Sequence, residues 1–182
     1  MSRCESLHDP GGKVRPAWPA DSVVTVVFSE CQGYRYQLRE VWDPAKPLVL
    51  WILMNPSVAC TDYSDPTLRK TGKFSRAWGY GGQLVGNVHA YRATDKKRLL
   101  DVADPVGPEN DRHILKMAAK AKTIVLAYGQ PPKTLRKRGQ EMVALLSHHA
   151  DLCYLRLSQD GMPVHPLYLP EDVRPQPHRR RV

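Results

Sequence analysis

The four cysteines, Cys4, Cys31, Cys60 and Cys153, are scattered and form no C-x-x-C pair. That spacing argues against a zinc or iron–sulfur site and reads as reduced thiols, so no metal and no other cofactor is expected. Long apolar runs are missing too. The longest, Leu48 to Met54, falls far short of the about 20 residues that cross a bilayer. The N-terminus, MSRCESLHDPGG, lacks the apolar core of a secretory signal. A cytoplasmic protein with no membrane partner is the expectation. Neither G-x-G-x-x-G nor G-x-x-x-x-G-K-S/T occurs, which leaves dinucleotide and P-loop phosphate binding without support. No internal repeat is visible.

Acidic residues are the minority, 18 against 27 Lys and Arg, for a net charge of +9. A basic surface favours polyanions, so nucleic acid or a nucleotide is the expected partner, and no obligate protein partner is inferred. Part of the excess lies in Arg179-Arg180-Arg181. The length of 182 residues suits one domain with a genuine core. A loose arm is expected over residues 1–20, an α/β domain over 21–170 and a flexible basic tail over 171–182.

In chain order, Val23 to Phe28 and Tyr34 to Trp42 read as a β-hairpin. In the second segment Tyr34, Tyr36 and Leu38 alternate with Arg35, Gln37 and Arg39, which predicts one buried and one wet face. Pro47 to Ser57, PLVLWILMNPS, carries a short apolar run that stops at a proline. It reads as a strand buried on both faces, ending at Asn55. Asp65-Pro66 is a cap followed by a first-turn proline, predicting a helix to about Trp78 that Gly79 stops. Leu84 to Tyr91 reads as an inner strand carrying Asn87 and His89. A helix follows from Pro108 through Ala121, then a strand over Thr123 to Tyr128, a helix over Thr134 to His149 and a strand over Leu152 to Leu157. The predicted fold is α/β, a doubly wound and mostly parallel four-stranded sheet between helices, with the hairpin at its edge. In such sheets ligands bind at the carboxyl ends of the strands, where Asn55 sits.

The segments MNPSVACTDYSDPT, WGYGG, NVHAYRATD, DPVGPEND, YG and HPLYLP resemble the family known as domain of unknown function 1643, from Val27 to Pro170. More distantly, the order of motifs resembles the uracil-DNA glycosylase superfamily. ILMNPS is similar to its first motif, QLVGNVHAYRA to its base-reading strand, IVLAYG to a later strand end, and VHPLYL to its His-Pro loop. Met54 stands where a glycine often precedes the first motif, and the last loop reads His-Pro-Leu-Tyr rather than His-Pro-Ser-Pro.

That resemblance implies a base-processing enzyme, a hydrolase of the N-glycosidic bond of a modified or damaged base in DNA. Asn55 would orient water, Asn87 would read the flipped base and His165 would stabilise the departing anion. Asp62 is the nearby carboxylate that could act where Asn55 cannot accept a proton. Pro56, Ser57, Gly129 and Pro166 belong to the same motifs. His89, Arg92 and Tyr80 are candidates for substrate contact, and Leu167 or Tyr168 for the wedge that fills a flipped base's gap. The basic run Lys133, Arg136, Lys137 and Arg138 fits either a solvated face or a backbone track. Two other readings fit the same residues: a non-catalytic nucleic-acid or nucleotide-binding module, and an enzyme on free nucleosides or nucleotides.

Overall fold

Val23–Phe28 (β1) and Arg35–Val41 (β2) pair antiparallel across the turn that Gln32 N–H closes on Ser29 O. These and all elements below belong to a computed structural model that describes residues 14–148 and 151–178. Most of the expected N-terminal arm, residues 1–13, and the tail arginines lie outside the described residues. The β1–β2 register shifts at Val27/Phe28. An irregularity of this kind breaks the two-residue alternation. Arg35, expected on the wet face, is consequently 2% exposed, and Tyr36 beside it is buried as well.

Leu48–Leu53 (β3) is flanked by parallel neighbours on both sides, which is why it has no polar face. Pro66–Ala77 (α1) begins as expected: Asp65 caps it, with its Oδ1 accepting from Leu68 N–H at 2.9 Å, and Pro66 opens the first turn. Gly82–Asn87 (β4) stops short of His89, although Val88 and His89 still donate to Leu53 O and Met54 O. Asn110–Ala118 (α2), Ala121–Leu126 (β5), Arg136–Leu146 (α3) and Asp151–Tyr154 (β6) follow, each within a few residues of its predicted place. Gln176–Pro177 (β7) pairs with β6, and Trp78 Nε1–H donates to Val173 O, so residues 173–177 lie against the domain.

The seven strands form one mixed sheet in the order β1-β2-β4-β3-β5-β6-β7. This corrects the expected four-stranded, mostly parallel sheet. β4, β3, β5 and β6 do pair in parallel, but β1–β2, β2–β4 and β6–β7 are antiparallel. The physical reason is that the hairpin extends the sheet through β2, and the C-terminal segment adds a strand at the other edge. One face of the sheet, with Val49, Trp51, Val85 and Val125, packs on Leu68 and Phe74 of α1. The other, with Leu50, Ile52, Leu84 and Ile124, packs on Ile114 and Met117 of α2 and Met142 and Leu146 of α3. No helix among the described residues is long and apolar enough to cross a membrane. Cys31 and Cys153 are not in disulfides, whereas Cys60 is disulfide-bonded, against the expectation of reduced cysteines throughout.

Candidate binding site at the ends of strands β3 and β5

Neighbouring strands β3 and β5 send their chains to opposite faces of the sheet, β3 to α1 and β5 to α3. Where connections diverge in this way, a crevice opens at the carboxyl edge. A cavity of about 800 Å³ lies there. It suits a ligand the size of a nucleotide. Its walls come from the ends of β3 (Met54, Asn55, Ser57) and β5 (Tyr128, Gly129, Gln130), the start of α1 (Asp65 to Leu68), Ala93 to Lys96, and residues 162–165, 167 and 168.

Asn55 is pinned. Its Nδ2 donates to Ala93 O at 2.7 Å and Pro56 O at 3.1 Å, which fixes which way the amide faces. Oδ1 has no partner among the described residues and is left as an acceptor. His165 is its complement. Burial, with the Lys96 charge adding to it, pushes its imidazole down to about 4, so the ring is neutral near pH 7. Leu167 N–H donates to Nδ1 at 3.4 Å, and a neutral ring that accepts at Nδ1 carries its proton on Nε2. The cavity therefore holds one oriented acceptor and one uncharged donor. Tyr128, also lining it, is pushed up to about 12 by burial and stays protonated.

Asn55, Ser57, Gly129, His165 and Leu167 thus share the cavity, as does Tyr168. The other candidates do not line it. Asn87 sits one strand over, in register with Leu53, with both amide atoms buried and without a partner among the described residues. His89 is fully buried, and burial followed by the Arg138 charge lowers it to about 4. Arg92 is buried against the hairpin, with Nη1 donating to Gln32 O and its guanidinium over the Phe28 ring. Tyr80 donates to Thr123 Oγ1 at 2.7 Å and packs in the α1-side core, outside the cavity. Asp62 is exposed and accepts from its neighbour Thr61. Pro56 and Pro166 are buried supports, the first supplying the carbonyl that Asn55 binds.

The basic run is largely neutralised. Arg136 pairs with Asp160, Lys137 with Glu141 and Arg138 with Asp111. A second, outer cavity shares Asp95, Lys96 and Gln130 with the first and adds Lys97 and Arg98. Among the described residues no cluster of three His, Cys, Asp or Glu side chains could hold a metal ion. The sequence reading overlooked Arg35, Asp95 and Lys96, which line the cavity. Asp95 closes the NVHAYRATD motif and Lys96 follows it, so their position at a strand end was the available signal. Arg35 was hidden by its place in an alternating strand.

The chain belongs to a family described as protein of unknown function (DUF1643), whose model matches residues 35–167. No curated protein and no solved structure matches it significantly.

Proposed function

We propose that this DUF1643 protein is a base-processing hydrolase, cleaving the N-glycosidic bond of a modified or damaged base in nucleic acid, DNA being the expected form. The single observation that carries the reading is the pairing of Asn55 and His165 across one nucleotide-sized cavity with opposite hydrogen-bonding polarity. Water donates to Asn55 Oδ1 and is thereby oriented towards the sugar carbon. As the carbon–nitrogen bond breaks, its electron pair leaves with the base, and His165 Nε2–H donates to the base oxygen where negative charge gathers. A neutral donor stabilises that oxygen without first giving up its proton. The water's proton passes to solvent, because an amide cannot take it.

The parallel order β4-β3-β5-β6, with helices on both faces, supports a doubly wound, uracil-DNA glycosylase-like reading of the inner sheet. Lys96 and Lys97 of the outer cavity, beside an Arg98 that pairs with Asp101, support a path for flanking phosphates. A cytoplasmic setting is part of the proposal.

Oligonucleotides carrying uracil, hydroxymethyluracil and other modified bases, incubated with the protein and assayed for abasic sites, test this directly. Release that disappears in Asn55→Ala and His165→Ala is the expected result. No release from any substrate, single- or double-stranded, rejects the hydrolase. One observation favours a second reading, a non-catalytic binding module: Asp62, the carboxylate expected to activate water, lies outside the cavity. That module binds the same oligonucleotides in a salt-dependent way and leaves them intact.

A further inference from the structure

We propose that Arg35 is the phosphate receptor of the cavity, gripping a nucleotide's phosphate through the Nε–Nη2 edge of its guanidinium. Arg35 lines the cavity yet is 2% exposed. Its Nη1 donates to Ala59 O at 2.9 Å, its one side-chain hydrogen bond among the described residues. Nε is buried without a partner, and no carboxylate lies within ion-pair distance among the described residues. The edge left over is the one whose two parallel N–H groups match two oxygens of a phosphate or carboxylate.

A buried guanidinium with one neutral partner is an expensive arrangement, because the charge has lost water and gained little in return. Burial accordingly lowers its pKa to about 10, with the more distant Asp65 opposing that shift and Arg92 adding to it. Arg35 still carries its charge at neutral pH. Asp65 makes no ion pair with Arg35 among the described residues, and its Oδ1 accepts from the Leu68 N–H as the cap of α1. Asp95, the other acid in the wall, caps Lys97 N–H in the same manner. Lys96 adds a second cation to the wall, its Nζ held at Gln130 O. Both acids thus accept from backbone donors, while the buried Nε of Arg35 has no partner among the described residues. A bound oxyanion supplies what the fold withholds. Naming the anion as a nucleotide's phosphate rests on the hydrolase reading above; the receptor itself rests on Arg35 alone.

The test uses the full chain at low salt, with calorimetric titration of inorganic phosphate, 5′-mononucleotides and the matching nucleosides. Mononucleotides should bind at least about tenfold tighter than nucleosides, the scale of one charge-assisted contact. Arg35→Gln should abolish that difference. Arg35→Lys, which keeps the charge without the fork, should retain only part of it. Phosphate should raise the melting temperature of the wild type and not of Arg35→Gln. Circular dichroism checks that each variant folds, and the wild-type comparison stands even where one does not. Equal binding of nucleotides and nucleosides by the wild type overturns the proposal. So does unchanged phosphate binding in a folded Arg35→Gln, or Arg35-dependent binding of acetate with none of phosphate. Arg35-dependent nucleotide binding without base release leaves this inference intact and rejects the hydrolase. Base release with no phosphate preference does the reverse.

Discussion

Gly129 and His165 meet backbone to side chain: a β-carbon at Gly129 would lie 3.1 Å from Cβ of His165. Gly129 also holds φ +69°, a conformation glycine adopts freely, and donates its N–H to Pro163 O at 2.8 Å. The end of β5 thereby sets how deeply the His-Pro loop seats over the cavity. His165 is held in place by a missing side chain as much as by any bond.

Gly129→Ala therefore meets two penalties, a left-handed backbone and a close contact. It should lower stability by about 1–2 kcal/mol, and a shift of about 2–8 °C in melting temperature is the scale for a chain of this size. Ligand binding in the cavity should weaken with it, because His165 must move. A variant that melts and binds like the wild type would show that the loop is not seated in this way.

Asn55→Asp is the substitution that a search for a stronger base would try first. Its carboxylate would face Ala93 O and Pro56 O, which now receive the two Nδ2 hydrogens. Losing two donors and gaining charge repulsion should cost about 1–3 kcal/mol. Asn55→Asp should melt below Asn55→Ala at pH 7, and the gap should narrow as the carboxyl protonates in acid. Thermal melts of the two variants between pH 4 and 7 decide it.

His89 and His165 both have native pKa values near 4, against an ordinary value of 6.5. Between about pH 6.5 and about 4 the unfolded chain takes up protons that the folded chain refuses. Stability is then complete above pH 6.5 and is lost as pH falls towards 4. For the fully buried His89 this loss is on the order of 3 kcal/mol. His89→Leu should flatten the dependence of melting temperature on pH across that interval. An unchanged slope would mean that His89 is protonated in the fold.

Gly86 lies where α2 crosses β4, and a β-carbon there would overlap Ile114 Cδ1 and come within 2.9 Å of Met117 Cε. Gly86→Ala should destabilise by about 1–3 kcal/mol through overpacking. Ile114→Val in the same chain should recover part of that loss, as neighbours sharing one contact do. Purely additive effects in a double-mutant cycle would separate the two positions.

Local chemistry made much of the fold legible. The apolar run before Asn55-Pro56 announced a central strand. Asp65-Pro66 announced the start of α1, and Gly79 at φ +84° its stop. These are effects of neighbours in the chain: a proline that cannot donate, a side chain that caps, a glycine that turns. The same local signals placed Asn55, Ser57, Gly129, His165 and Leu167 at loop ends, and those loops do converge.

Tertiary structure decided the rest. Asn87, His89 and Arg92 sit in the same motif-like segment, yet all three are turned into the interior, because what a strand's side chain faces depends on the layers packed upon it. Arg35 reached the cavity through a register shift between β1 and β2 that no alternation of polar and apolar residues announces. The strand order, which sets β5 beside β3 and so brings Gly129 and His165 to Asn55, comes from contacts distant in sequence. The amino-acid sequence by itself determined roughly where the main helices and inner strands lie, because caps and prolines act locally. Only the packed sheet decided where β4 ends, that β7 joins the sheet and which polar side chains meet in one cavity, because burial and register are properties of the whole fold.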